Sequence, residues 1–571
     1  MNQDNRNLVL AIVCSALLVI AYQIFFELPK QQRLAEQNQK LSEELSIVTP
    51  EKIEDKKLET IDDNKVNISA PRINIDNPSL TGSITLAGAR IDDIILKNYT
   101  VTNDPLSDKI KLLKRTDEEA PYFVELGWIS ADNIELPNDQ SLWQSNNSIL
   151  EPNKPITLKY KTKENLEFIR TIEVNENYIL SISDKVINNY SKPVNIFPYG
   201  LIRRTGLPKI DGLFILHEGP LAVIDEQLHE VDYNDLVDDG DQLINSENSG
   251  GWIGITDKYW LTALIPDQSD ISEFAFRYSK KSNGQWQSDW RGSVKTISPG
   301  DEIEIKSHLY AGAKIVSLLD KVEEDLKVQR FDLAIDFGWF YFLTKPFFYA
   351  LNWLSGYLGN FGLAILGLTV IIKILFFPLA NGSYRSMAKM RTLQPKLAEL
   401  RERYKGDQQA LNKAMMEMYR NEKVNPAAGC LPILIQIPVF FALYKVLYVT
   451  IEMRQAPFYG WINDLSAKDP TSILNLFGIL PYSVHNLPIP EFFQLGIWPL
   501  LMGLTMWLQM RLNPTPPDPV QARIFAWMPV VFTFLLATFP AGLVIYWTWN
   551  NLLSIGQQWL IMNQLNKAQK Q

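Results

Sequence analysis

The first long apolar stretch of the chain covers residues 8–26 and contains no charged residue. A helix of this length can cross the hydrocarbon core of a membrane. Bulky and acidic residues follow at 25–28, which is a poor signal-peptidase site, so residues 1–28 are predicted to form an uncleaved transmembrane anchor. Residues 29–70 are rich in Gln, Glu, Lys, Asp and Asn and are predicted to form a polar linker.

Residues 71–312 consist of short stretches in which hydrophobic and polar residues alternate. Clear examples lie at 83–86, 166–172 and 302–305, and turn-forming residues separate the stretches. Alternation with period two predicts a large antiparallel β-sandwich. Because a helical period follows at 313–330, we predict one domain over 71–335 that ends in a closing helix.

The rest of the chain predicts a polytopic α-helical membrane protein. Aromatic residues are dense at 338–358, which is typical of an amphipathic helix in the membrane interface, here placed at 336–359. The segment 360–562 then contains five apolar blocks, which with the anchor predict six spans, and a tail follows at 563–571. The five later spans are predicted at about 361–379, 430–448, 492–510, 524–539 and 542–562.

A polar segment at 381–428 separates the first two of these later spans. Its apolar positions recur every three or four residues, which predicts a helical hairpin. Ten Lys/Arg against five Asp/Glu between residues 380 and 428 place the hairpin in the cytoplasm by the positive-inside rule. Counting spans from there puts both termini in the cytoplasm and the β-sandwich outside.

Charge and composition exclude several classes of protein. Residues 29–345 carry 36 Lys+Arg and 52 Asp+Glu, so this part of the chain lacks the basic surface that direct nucleic-acid binding needs. The four histidines are scattered, the two cysteines lie in apolar stretches, and there is no Walker A loop or Gly-x-Ser-x-Gly motif. We therefore expect no metal site, no cofactor and no enzymatic activity.

Lys373 is the charged residue inside the predicted span 361–379. A lysine near the middle of a bilayer costs roughly 2.5–3.5 kcal/mol on insertion scales. Two interpretations remain open: the side chain snorkels to the inner headgroups, or it lines a water-filled cavity open to the cytoplasm.

Thr369 lies one turn earlier on the same face, and other spans carry polar residues that form either a hydrated interior or helix–helix contacts. These polar residues are Gln436, Thr505, Gln509, Thr533, Asn550 and Asn551. Lys445 lies near the outer end of its span, where snorkelling explains it.

Six short segments of the chain carry a family resemblance. They are Met-Ala-Lys-Met-Arg at 387–391, Leu-Gln-Pro-Lys at 393–396, Asn-Pro-Ala-Ala-Gly-Cys at 425–430, Ile-Gln-Ile-Pro at 435–438, Arg-Gln-Ala-Pro-Phe at 454–458 and Phe-Pro-Ala-Gly-Leu at 539–543. On these residues the chain resembles the YidC membrane protein insertase family. The anchor followed by a large β domain resembles the Gram-negative form, which has a periplasmic domain.

The resemblance implies a five-helix insertase core around a hydrophilic groove that is open to the cytoplasm and to lipid. The family's groove and slide positions correspond to Thr369, Ile437, Phe440, Tyr546 and Trp547, and Gln436 joins them as a polar residue of the same spans. The basic residue of the first core helix, usually arginine in the family, is Lys373 here. The charge is kept but the two-pronged guanidinium is not, which favours a purely electrostatic role. An insertion around 476–491 lengthens the outer loop and has no assigned role.

The expected function is that of a membrane protein insertase and folding chaperone in the bacterial inner (plasma) membrane, acting on nascent integral membrane proteins, with lipoproteins as a further candidate class. Expected partners are the Sec translocon, the ribosome and membrane lipids. The hairpin residues Met387, Met390, Arg391, Met415 and Met418 either receive nascent chains or belong to a hairpin that merely caps the groove. The alternatives are a transporter or channel with Lys373 as an intramembrane anion site, and a passive scaffold for the β domain.

Overall fold

The computed structural model describes residues 69–104, 106–208, 216–338, 340–422, 424, 431–480, 490, 493–513 and 519–568. The predicted anchor, nearly all of the linker, the motif at 425–430 and most of the insertion at 476–491 lie outside these residues.

Twenty strands form the first part of the described chain. Their bounds are β1 Arg72–Asp76, β2 Leu80–Thr85, β3 Ile91–Thr100, β4 Lys109–Leu113, β5 Tyr122–Ile129, β6 Gln144–Ser145, β7 Ile149–Leu150, β8 Ile156–Lys161, β9 Leu166–Val174, β10 Ile179–Asn188, β11 Val194–Thr205, β12 Gly219–Ile224, β13 Gln227–Glu230, β14 Gln242–Asn245, β15 Trp252–Thr256, β16 Trp260–Ile265, β17 Ser272–Ser279, β18 Gln285–Gly292, β19 Lys295–Ile297 and β20 Glu302–Ala313.

The strands form two sheets. The first has the order β14-β17-β18-β11-β5-β3-β2-β1-β7, with β19 beside β11 and β4 beside β3. The second has the order β13-β12-β15-β16-β20-β10-β9-β8-β6. The described pairs are antiparallel except β1 with β7, which is parallel and so departs from the all-antiparallel expectation.

The two sheets pack face to face as a sandwich. Alternate residues of β9 are buried, as the period-two pattern at 166–172 predicts. Hydrogen bonds also join the two sheets. The Ser288 hydroxyl of β18 donates to the Gly254 carbonyl of β15 at 3.0 Å. Arg170 of β9 reaches across to the Leu126 carbonyl of β5 at 2.9 Å, and it pairs with Asp184 at 2.7 Å.

Eleven α-helices are described. Their bounds are α1 Tyr233–Asp239, α2 Val316–Leu326, α3 Tyr341–Leu358, α4 Phe361–Leu375, α5 Phe377–Thr392, α6 Gln394–Arg403, α7 Gln408–Asn421, α8 Leu431–Val449, α9 Ile497–Leu512, α10 Pro519–Leu535 and α11 Ala541–Ala568. The expected closing helix at 313–330 corresponds to α2, and the expected interfacial helix at 336–359 corresponds to α3.

The first core helix is bent, which the sequence pattern did not predict. The expected span at 361–379 is divided into α4 and α5, whose axes differ by 67°. Pro378 lies in the first turn of α5, where its missing N–H group interrupts the ladder of helix hydrogen bonds. None of the described helices is by itself long and apolar enough to cross a membrane, whereas α4 and α5 taken together have the length and composition of a broken span or a re-entrant loop.

Other helix ends also differ from the expected spans. Helix α9 begins at Ile497 rather than at 492. Helix α10 begins at Pro519, five residues before the predicted start of its span at about 524. Proline is tolerated there because the first residues of a helix have no backbone hydrogen bond to lose.

The sandwich and the helices contact each other through charged side chains. The Lys345 ammonium of α3 donates to Asp320 of α2 at 3.1 Å and to Asp332 at 3.0 Å. Lys445 of α8, which the sequence assigned to snorkelling, donates to Asp336 at 2.5 Å. These contacts fix the segment between the sandwich and α3 against the helical bundle.

Candidate functional site

A cavity of about 100 Å³ lies between α4, α5, α8, α9 and α11. Four residues predicted for the groove line it: Thr369, Lys373, Gln436 and Tyr546. Met387, which was predicted as part of the cytoplasmic hairpin, also lines it. Five helices therefore bring residues that are up to 188 positions apart in the sequence, Thr369 and Gln557, to one site.

Lys373 is held at the wall of this cavity by α11. Its ammonium nitrogen donates to the Ser554 hydroxyl at 2.7 Å, and that hydroxyl donates to the Asn550 carbonyl at 2.8 Å. The Gln557 side chain donates to the Lys373 carbonyl at 3.3 Å. The lysine stem is thus directed at a neighbouring helix. Among the described residues that line the cavity, Lys373 is the basic one and none is Asp or Glu.

Thr369 and Tyr546 form part of the same wall. The Thr369 hydroxyl donates to the Ile365 carbonyl of its own helix at 2.6 Å, which leaves the oxygen as an acceptor. Tyr546 is buried where α11 faces α8. The cavity lining therefore combines one cation and several hydroxyl and amide groups with apolar side chains such as Ile372, Phe376 and Val439. It offers an anionic or polar group a cation and hydrogen-bonding partners inside the helical bundle.

The three predicted slide residues Ile437, Phe440 and Trp547 do not line the cavity but lie beside it. The rings of Phe440 and Trp547 meet edge to face with centroids 4.7 Å apart. Ile437 is 43% exposed on α8. An apolar, partly exposed surface thus adjoins the cavity that contains Lys373.

The polar residues of the predicted spans divide into two groups. Gln436, Gln509 and Asn550 line the cavity. Asn551 instead donates to the Thr505 hydroxyl at 3.2 Å and so joins α11 to α9. These two residues serve helix packing, which was one of the two readings the sequence left open.

Thr533 also belongs to the packing group. Its hydroxyl donates to the Pro529 carbonyl of α10 at 2.7 Å. A Cβ atom placed on Gly503 would lie 2.0 Å from the Thr533 hydroxyl oxygen, so α9 and α10 approach closely at this glycine.

Most of the hairpin methionines face the protein. Met387 packs with Tyr384 of its own helix and Ile561 of α11. Met390, Met415 and Met418 pack on a small apolar cluster that joins the hairpin helices. Arg391 is exposed, and the methionine that faces solvent is Met416, 66% exposed and not predicted.

Sequence reasoning missed Ser554, Tyr384, Asn513 and Gln557, which also line the cavity. Serine is a common small residue in membrane helices and gave no signal by itself. On α11, however, a spacing of four residues places Tyr546, Asn550 and Ser554 on the same face of the helix. This pattern could have identified the serine as a residue that faces the cavity. Within the described ranges, no group of three His, Cys, Asp or Glu residues could hold a metal ion.

Comparisons with known proteins cover nearly the whole chain. A family model described as "60Kd inner membrane protein" matches residues 353–569, and a second, "YidC periplasmic domain", matches residues 72–350. The "Membrane protein insertase YidC" of Rickettsia bellii is 46% identical over 573 residues, covering 99% of this chain and 100% of the relative. The protein of the same name from Brucella suis biovar 1 is 50% identical over 499 residues, covering 87% of this chain and 81% of the relative.

Among solved structures, an "Active YidC insertase crystal structure with the first transmembrane domain resolved" matches at 17% identity with a TM-score of 0.36, over 86% of this chain and 93% of that chain. The family models and the full-length relatives together show that the chain belongs to the YidC family of inner-membrane protein insertases and carries that family's periplasmic domain.

Proposed function

We propose that this chain inserts membrane proteins by receiving polar substrate segments in the cavity beside Lys373. The observation that carries the proposal is the Lys373–Ser554 contact, which holds a cation at the wall of a cavity that also contains hydroxyl and amide groups. A substrate helix with an acidic flank must carry that flank through hydrocarbon. A hydrated, positively charged cavity shortens the low-dielectric path and attracts the acidic residues.

The apolar part of the substrate leaves beside the cavity. Ile437, Phe440 and Trp547 form the apolar surface along which a substrate helix passes into lipid. Transfer of apolar surface out of water, at roughly 25 cal/mol per Å², drives the net step. No nucleotide hydrolysis or covalent chemistry is required, so we infer that the chain is not an enzyme.

The proposed membrane arrangement has six spans, with both termini and the hairpin in the cytoplasm. The anchor 1–28 supplies the first span, and five core helices supply the others. The basic composition of 381–428 supports this orientation, because short loops rich in Lys and Arg are retained in the cytoplasm. The cavity is then accessible from the cytoplasmic side, where Arg391 and Met416 of the hairpin are exposed.

Nascent membrane proteins are the substrates of this arrangement. We propose the ribosome and the Sec translocon as partners, the first because the hairpin is basic and lies on the proposed cytoplasmic side. The inward packing of Met387, Met390, Met415 and Met418 supports a hairpin that closes the cavity and leaves Met416 and Arg391 for contact with nascent chains.

A transporter or channel with Lys373 as an anion site is the competing function. Purified chain in liposomes separates the two: insertion of a small membrane protein with an acidic translocated segment is expected, and flux of small anions is not. Anion flux without insertion would overturn the proposal. Liposomes that contain the Lys373→Ala variant at the same protein content are the matched control, and they are expected to insert less of this substrate.

A further inference from the structure

A second and larger cleft lies at the junction of the sandwich and the helical bundle. Its volume is about 1120 Å³. One wall comes from the sandwich, where β13 leads into α1, and the other comes from the start of α3 and the middle of α8. We call it the junction cleft and define it by Glu230, Asp232, Asp336, Phe340, Phe441 and Lys445.

The sandwich wall of the junction cleft is acidic. Glu230, Asp232 and Asp235 line it and are exposed, and Glu218 adds a fourth carboxyl group. Asp232 lies 3.4 Å from His217. Two cations, Lys445 and Arg330, also line the cleft, and each has a carboxylate partner. Lys445 contacts Asp336 at 2.5 Å, and Arg330 lies 3.4 Å from Asp332. Negative charge therefore exceeds positive charge in the cleft, which favours a ligand that carries a cation.

The bundle wall of the junction cleft is aromatic. The rings of Phe340 and Phe441 are stacked, with centroids 6.5 Å apart and planes at 23°. Phe441 lies one turn after Ile437 on α8, and the two side chains are 44% and 43% exposed. This stripe of exposed apolar residues connects the cleft with the side of the bundle. Phe342, next to the cleft, is 73% exposed, as is typical of an aromatic residue in a membrane interface.

We propose that the junction cleft binds the headgroup of a zwitterionic aminophospholipid from the periplasmic leaflet. The ammonium group lies against Glu230 and Asp232, and the glycerol and upper acyl chain lie on Phe340 and Phe441. The combination of an acidic wall with an apolar stripe that continues into the bilayer fits this amphiphile. An anionic phospholipid would carry unbalanced negative charge into an acidic site.

The charge of the cleft also argues against a substrate segment as its occupant. The proposed groove attracts acidic flanks through Lys373, and the same flanks would be repelled by Glu230 and Asp232 after they cross. A lipid bound here touches the sandwich and the bundle at once, so it contributes to holding the two together. This inference concerns a different site from the groove. It rests on the proposed orientation, and the exclusion of a substrate segment rests on the proposed insertion mechanism.

The test uses the full-length chain in proteoliposomes that contain phosphatidylethanolamine with a photoreactive group in its acyl chain. A parallel sample contains phosphatidylglycerol with the same photoreactive chain. After illumination, mass spectrometry maps the labelled peptides. Phosphatidylethanolamine is expected to label residues 337–345 and 437–445 several-fold more than phosphatidylglycerol.

The double variant Glu230→Gln, Asp232→Asn is expected to reduce that labelling to the level seen with phosphatidylglycerol. Both side chains are exposed, so the fold tolerates the change. Glu173→Gln is the matched control, because Glu173 is an exposed carboxyl of β9 outside the cleft. Equal labelling by the two lipids, or labelling that the double variant leaves unchanged, would overturn the proposal. So would a photoreactive substrate whose translocated segment labels the cleft in place of lipid.

Discussion

The ammonium nitrogen of Lys373 lies 2.7 Å from the hydroxyl oxygen of Ser554, and this contact joins α4 to α11 at the cavity wall. The serine hydroxyl is fixed in turn by its bond to the Asn550 carbonyl. A lysine stem is flexible and its ammonium group prefers water, so without a partner it would extend toward the nearest headgroups. Ser554 therefore determines where the positive charge of the groove is placed.

Ser554→Ala is expected to lower insertion of a substrate with an acidic translocated segment, while a neutral version of the same substrate is affected less. A hydrogen bond to a charged group contributes about 1.5–3 kcal/mol, so the loss is at most roughly a hundredfold and is smaller if water replaces the hydroxyl. Ser554→Thr keeps the hydroxyl and should restore activity. Equal insertion by the Ala and Thr variants would show that the contact has no role in insertion.

The sequence predicted those features that depend on local pattern. The alternation at 166–172 lies in β9, and the helical period at 313–330 lies around α2. Lys373 attracted attention because a charge in an apolar helix is conspicuous by itself. Its partner Ser554 is 181 residues away, and nothing local distinguishes it from other serines. The partner of Lys445 could not be predicted for the same reason, since Asp336 is distant in sequence.

The orientation of the chain can be tested with single cysteines and a membrane-impermeant thiol reagent, after Cys14 and Cys430 are replaced by serine. Exposed positions are needed in the sandwich, in the loop between α8 and α9, and in the hairpin, and Glu173, Ala467 and Lys405 meet this need. Cysteines at Glu173 and Ala467 are expected to be labelled from the periplasmic side, and one at Lys405 is not. Labelling of the cysteine at position 405 in intact spheroplasts would contradict the proposed orientation, because the hairpin and the opening of the cavity would then face the periplasm.

Deletion of residues 71–312 is expected to leave insertion largely intact if α2 is retained. Lys345 of α3 pairs with Asp320 and Asp332, and the hydroxyls of Tyr341 and Tyr349 donate to the same two carboxyl groups. All of these groups lie outside the deleted segment. Lys345→Ala in the full-length chain should lower insertion more than the deletion does, because it leaves Asp320 and Asp332 without their cation and weakens the attachment of that segment to α3. The measurement is insertion of a test substrate at matched protein levels. A stably expressed deletion with no insertion would mean that the sandwich is itself part of the active machinery.

The carboxyl group of Glu452, which lies just after α8, is expected to make the stability of the fold depend on pH. Burial raises the pKa of its carboxyl to about 7, against the lowering effect of the backbone N–H groups of Glu452 and of Val316, the first residue of α2. Its Oε2 atom has no hydrogen-bond partner within the described part of the chain. Because the folded-state pKa lies above the unfolded one, the folded protein binds more protons between these two values. Stability therefore falls as pH rises from about 4.5 to about 7.

Glu452→Gln mimics the protonated carboxyl and is expected to remove this loss. Thermal unfolding of the purified protein at pH 5 and pH 8 should show that the advantage of the Gln variant over the natural chain grows with pH. Glu173→Gln, an exposed control on β9, should show no such trend. A constant difference between Glu452→Gln and the natural chain at both pH values would mean that Glu452 is already ionised at pH 5.

The last prediction concerns the charge of Lys373 itself. Lys373→Arg should keep activity, because the charge stays and the longer side chain still reaches the cavity. Lys373→Ala should impair a substrate with an acidic translocated segment more than its neutral version. Lys373→Glu should be worst, since a like-charge pair 4 Å apart costs about 4 kcal/mol at an effective dielectric constant of 20. If the lysine merely snorkelled, alanine would be harmless, because an apolar residue suits hydrocarbon better. The measurement is insertion of the acidic and neutral substrates by the three variants at matched protein levels. Equal activity of Lys373→Ala and the natural chain on both substrates would exclude the electrostatic mechanism.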